Sequence, residues 1–75
     1  MKIQAVEANN RRKAFELRTA RGIFSYPYAK LPYPPTSDDR VVKVFADPDA
    51  GREAFTYRLE SGTEDTVHID TVLEY

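Results

Sequence analysis

Apolar and polar side chains alternate most regularly between Arg52 and Asp70. Phe55, Tyr57 and Leu59 fall on one side of an extended chain, with Ala54, Thr56, Arg58 and Glu60 on the other, which is the period of two of a half-buried strand. Ser61, Gly62 and Thr63 interrupt the run. Val67 and Ile69 then resume it, with Thr66, His68 and Asp70 facing away, so the segment predicts an antiparallel hairpin that forms one wall of a core.

The rest of the chain predicts further short strands. Lys2 to Ala8 reads as a first strand, with either Ile3 and Ala5 or Val6 and Ala8 toward the core, and Asn9 and Asn10 suit a tight turn. Lys13 to Thr19 has residue types that favour helix, but its large apolar groups, Phe15 and Leu17, sit two apart and predict a strand. After a turn at Ala20 to Gly22, Ile23 to Tyr28 predicts a third strand lined by Phe24, Tyr26 and Tyr28. Pro27, Pro32, Pro34 and Pro35 exclude helix and central strand from Pro27 to Asp39 and predict an extended loop closed by Thr36 to Asp39. Arg40 to Ala46, nearly continuous in apolarity through Val41, Val42, Val44 and Phe45, predicts a strand central in its sheet. Asp47 to Gly51 suits a helix start with Asp47 as cap, yet Gly51 would fall inside that helix, so a loop is expected. No internal repeat is evident. At the end, Val72 and Tyr75 are spaced as on a helix that Asp70 or Thr71 would cap, which suggests a chain continuing beyond Tyr75.

Seventy-five residues bound this to one small domain with a modest core, for which five Tyr and four Phe supply large apolar areas. The absence of cysteine removes disulfides, thiolate metal sites and cysteine nucleophiles, and fits a reducing compartment. No apolar run reaches the roughly 20 residues that span a bilayer, and no secretory signal opens the chain, so a cytoplasmic location is expected. The net charge of −1 conceals an asymmetry. Residues 1 to 30 hold seven cations against two acids, a net of +5, and residues 31 to 75 hold four against ten, a net of −6. The two halves either pair internally, the blander expectation, or leave a basic and an acidic face.

Candidate chemistry is sparse. His68 is the single histidine, near Glu64, Asp65 and Asp70, too few ligands for a closed zinc site, and an outward position predicts solvent or a neighbouring group as its partner. Ser25, Ser37 and Ser61 have no base at suggestive spacing, so neither enzyme nor cofactor is expected. The basic turn Arg11, Arg12 and Lys13, reinforced by Arg18 and Arg21, is suited to phosphates, and Phe24, Tyr26 and Tyr28 could stack on bases if the core does not consume them. Within the proline segment, Tyr28, Leu31 and Tyr33 either pin the loop to the sheet or offer contact to a second protein.

The runs Phe55, Thr56, Tyr57, Arg58, Leu59, Glu60, Ser61, Gly62, Thr63, Glu64 and Val67, His68, Ile69, Asp70, Thr71, Val72, Leu73, Glu74, Tyr75 resemble the end of a poorly characterised bacterial domain. In longer regulator or antitoxin-like proteins that domain precedes a helix-turn-helix segment. The resemblance implies a β-rich accessory domain with DNA contact made by helices outside these 75 residues, and it carries no catalytic residues.

The expectation is therefore a single mainly β domain over residues 1 to 75, with five or six short antiparallel strands. These would form a small twisted sheet or a partly closed barrel with a long Pro-rich loop between the third and fourth strands. Its expected role is a non-catalytic protein-interaction or oligomerisation module acting through Tyr28, Leu31 and Tyr33. The alternative is direct nucleic-acid binding through Arg11, Arg12, Lys13 and Arg21.

Overall fold

A computed structural model describes every residue from Met1 to Tyr75. The chain forms six strands: β1 (Ile3–Asn9), β2 (Ala14–Thr19), β3 (Gly22–Pro27), β4 (Val41–Ala46), β5 (Ala54–Leu59) and β6 (Glu64–His68). A helix, α1 (Ile69–Glu74), follows β6, and short 3-10 turns occupy Tyr28–Lys30 and Pro48–Ala50. The strands make two separate antiparallel sheets, in the orders β1-β2-β3 and β4-β5-β6, not one sheet closed into a barrel.

The sheets share one core. Phe15 and Leu17 from β2 meet Phe55 and Tyr57 from β5, and all four are fully buried. The ring of Phe15 lies 4.9 Å from that of Phe55, 5.3 Å from Tyr57 and 5.0 Å from Tyr28, measured between centroids. Aromatic area of this kind supports a core in so short a chain, and tilted or edge-on rings use the quadrupole favourably. Ile3, Tyr26, Tyr28, Leu31, Leu59, Val67, Ile69 and Val72 complete the core.

The two halves are built alike, although the sequence shows no evident repeat. Each is a three-strand meander followed by a short helical turn. At a separation of 40 residues, Ala14, Phe15, Leu17 and Arg18 on β2 correspond to Ala54, Phe55, Tyr57 and Arg58 on β5. The hydrogen bond from Tyr28 N to Lys13 O is matched by that from Ile69 N to Glu53 O. Each half also has a bulge in its first strand. The register slips between Ile3 and Ala5 in one and between Val41 and Lys43 in the other. An extra residue at such a site reverses the alternation beyond it. Ile3 can therefore face the core together with Val6 and Ala8, and Val41 together with Val44 and Ala46.

That bulge corrects the reading of β4. Its apparent apolarity on both faces comes from the slip, which leaves Val42 58% exposed, and β4 is an edge strand whereas β5 is central. Asp47 to Gly51 is a correction too. Pro48–Ala50 is a 3-10 turn whose cap is Asp47, Oδ1 accepting from Asp49 N at 2.9 Å, and Gly51 ends the turn at φ 61° instead of lying inside it. Nor does the proline segment run extended throughout, because β3 ends at Pro27 and Tyr28–Lys30 turns. α1 begins as expected near Asp70, but His68 is the cap, its Nδ1 accepting from Asp70 N at 3.1 Å.

Every hydrogen bond joining one sheet to the other passes through Arg52. Its carbonyl accepts from Ile3 N at 2.7 Å, its Nε donates to Ile3 O at 3.1 Å, and its Nη2 donates to Gln4 O at 2.8 Å. These bonds satisfy backbone groups on the outer edge of β1 that no strand pairs.

Candidate nucleic-acid interface

The turn from β1 to β2 is fixed by its asparagines. Asn9 Oδ1 accepts from Arg12 N at 3.1 Å, Asn9 Nδ2 donates to Glu16 Oε1 at 2.9 Å, and Asn10 Oδ1 accepts from the Tyr28 hydroxyl at 2.8 Å. Lys13 closes the turn at φ 55°, in the left-handed region where a lysine is strained. Its carbonyl holds Tyr28 N at 2.8 Å, so the turn is tied to the start of the proline segment at both backbone and side chain.

That tie shapes a hollow of about 670 Å³ lined by Asn10, Arg11, Lys13, Tyr28, Pro35, Thr36, Ser37 and Arg40. Three cations converge there from two stretches of chain, Arg11 and Lys13 from the β1–β2 turn and Arg40 from the segment before β4. Arg40 is oriented by its Nε, which donates to Ser37 O at 3.3 Å, while Glu60 Oε1 accepts from the backbone N of Arg40 at 2.8 Å. None of the three cations has a carboxylate within 4.0 Å, since the ion pairs of the molecule are Arg58 with Glu64 and His68 with Asp70. The opposite charges of the two halves thus do not neutralise each other by contact, contrary to the blander expectation.

The sequence-predicted residues are only partly gathered. Arg11 and Lys13 line the hollow, and Arg12 is exposed on the same turn. Arg21 lies in the β2–β3 turn at the other end of β2, six residues or roughly 20 Å away. Arg40, Thr36 and Ser37 were not anticipated. Their only signal in the sequence was a cation following a polar turn, and nothing there joined them to Arg11. Among the predicted contact residues, Tyr28 and Leu31 are buried in the core and Tyr33 is 62% exposed. Tyr26 and Tyr28 are buried, and Phe24 packs against the core.

No buried side-chain nitrogen or oxygen lacks a hydrogen-bond partner. Thr56 Oγ1 donates to Asp47 Oδ2 at 2.8 Å and so must accept from Thr66 Oγ1, also at 2.8 Å, which fixes the direction of both bonds. Burial raises the Tyr28 hydroxyl above its usual pKa. Burial, with smaller contributions from Asp65 and Tyr26, pushes the Tyr57 hydroxyl up to about 12. No three His, Cys, Asp or Glu side chains stand close enough together to hold a metal ion, and no helix is long and apolar enough to cross a membrane. Comparison with family models, curated proteins and solved structures finds no match.

Proposed function

We propose that this domain is a non-catalytic binding module whose ligand is the phosphate backbone of a nucleic acid, received in the hollow between the β1–β2 turn and the segment before β4. The observation that carries this reading is the convergence of Arg11, Lys13 and Arg40, unpaired with carboxylates, beside the hydroxyls of Thr36 and Ser37. Cations so placed release condensed counterions when they meet phosphates, and hydroxyls donate to phosphate oxygens. Three contacts predict a slope of log affinity against log salt of about −2 to −3.

The test is anisotropy of a labelled mixed-sequence oligonucleotide, titrated from about 20 mM salt upward. Arg11→Gln, Lys13→Gln and Arg40→Gln together keep the side-chain stems, and they are expected to abolish binding and flatten the salt dependence. Arg21→Gln, at the far end of β2, is expected to change affinity less than twofold. Absence of binding by the unaltered protein at low salt refutes the reading.

A second reading, docking of a protein partner or a second copy, is favoured by the exposed ring of Tyr33. It predicts a mass above the monomer by light scattering that falls to the monomer value in Tyr33→Ala, and a strict monomer at high concentration removes self-association through this ring.

A further inference from the structure

Tyr33 is the one aromatic residue of the proline segment that the core does not use. Phe15, Phe55 and Tyr57 are fully buried, Tyr26 and Tyr28 nearly so, and the exposed Tyr75 rests edge-on against Tyr26 at 6.0 Å. Tyr33 lies between Pro32 and Pro34, which fix their own φ, and its carbonyl accepts from the Tyr57 hydroxyl at 3.4 Å. The ring is thus carried on restrained backbone, so a ligand that covers it orders little. It stands two residues before Pro35, which lines the cationic hollow. In extended chain that separation is about 7 Å, on the order of the length of one nucleotide.

We propose that the hollow takes single-stranded nucleic acid, with a base stacked on the ring of Tyr33 while a neighbouring phosphate lies among Arg11, Lys13 and Arg40. This deepens the phosphate-binding reading and rests on it. A single strand offers free base faces, whereas a duplex keeps them stacked internally, so an exposed ring two residues along the chain from the lining of a cationic hollow favours the unpaired form. Tyr28 cannot serve instead, because its hydroxyl is held by Asn10 and its ring packs on Phe15. Stacking tolerates any base, so little sequence preference is expected.

The experiment compares the unaltered chain, Tyr33→Ala, Tyr33→Phe and Tyr75→Ala for binding to a single-stranded DNA, a single-stranded RNA of the same sequence and the corresponding DNA duplex at low salt. Tyr33→Ala is expected to weaken single-strand binding by about 5- to 150-fold, the range for one base–aromatic stack. Tyr33→Phe keeps the ring and is expected to stay within about threefold, Tyr75→Ala within twofold, and the duplex is expected to bind more weakly without responding to Tyr33→Ala. Single-strand affinity within twofold of the original in Tyr33→Ala, or a duplex bound more tightly than its single strands, overturns the proposal. If the triple glutamine variant then still loses binding, the phosphate reading survives without the stack. If no oligonucleotide binds, both fall.

Discussion

Arg52 offers the sharpest test of how the two sheets are held together, because its contributions have opposite signs. Truncation in Arg52→Ala removes the bonds from Nε to Ile3 O and from Nη2 to Gln4 O and keeps the backbone bond from Ile3 N. Hydrogen bonds to charged groups contribute about 1.5–3 kcal/mol when buried, and this side chain is exposed, so a total loss of about 2 kcal/mol is expected. Arg52 also sits at φ 62°, where a side chain costs about 1 kcal/mol that glycine does not incur. Arg52→Gly therefore loses the same two bonds but recovers the strain, and should be about 1 kcal/mol more stable than Arg52→Ala. A domain of this length has a total stability of about 4–11 kcal/mol, so either change is measurable. Urea denaturation followed by circular dichroism, with a slope of about 1 kcal/mol per molar, should place the Arg52→Ala midpoint about 2 M below the original and Arg52→Gly between them. Hydrogen exchange at the Ile3 amide should rise in both variants before global unfolding. An Arg52→Ala midpoint within about 0.5 M of the original refutes the clamp. Arg52→Gly less stable than Arg52→Ala refutes the strain.

Phe15→Ala should cost about 3–5 kcal/mol, a large share of the total stability, while Phe15→Leu, which keeps most of the volume and loses three ring contacts, should cost about 1–3 kcal/mol in urea denaturation. Because the Tyr57 hydroxyl titrates near 12 when folded and near 10 when unfolded, the folded state binds more protons in that window. The stability this group contributes is intact below pH 10 and is lost as pH rises toward 12, with a slope of up to about 1.4 kcal/mol per pH unit. Tyr57→Phe should flatten that alkaline limb in thermal melts, and an unchanged limb would show that other groups set it. His68→Ala removes the acceptor for Asp70 N and should cost about 0.5–2 kcal/mol, with faster exchange of the α1 amides as the local readout.

Periodicity revealed most of the strands, because a strand buried on one face writes its alternation into the sequence. Phe55, Tyr57 and Leu59 marked β5, and Phe15 with Leu17 marked β2 even against helix-favouring composition. Two features escaped. The bulges at Gln4 and Val42 reverse the alternation without any characteristic residue, which is why Ile3 and Val6 looked like rival inward positions when both face the core, and why β4 looked central. The division into two sheets depends on β1 and β4 not pairing, and this reflects packing and the Arg52 bonds, which no local pattern encodes. The hollow was half legible. Clustered cations flagged Arg11 and Lys13, but Arg40 joins them only because Lys13 and Asn10 tie down Tyr28 and so bring the proline segment alongside.

The likeness of the two halves bears on where function resides. Equivalent positions in the interior are filled by equivalent chemistry: Phe15 with Phe55, Leu17 with Tyr57, Leu31 with Val72. The frames match, so the frame itself does not distinguish one half from the other. The turns between first and second strands do. In one half that turn runs Asn10, Arg11, Arg12, Lys13, opens on a hollow and leaves its cations without partners. In the other it runs Asp47, Pro48, Asp49, Ala50, Gly51; the Asp47 carboxylate is spent inside the protein, on Asp49 N and the Thr56 hydroxyl, while Asp49 is exposed. The two units bury alike and differ in the charge of this turn, so under the proposed function the basic turn would meet the ligand while Asp47 serves the fold. On the phosphate-binding proposal, the positive charge of Arg11, Arg12 and Lys13 favours an anionic ligand and disfavours a cation.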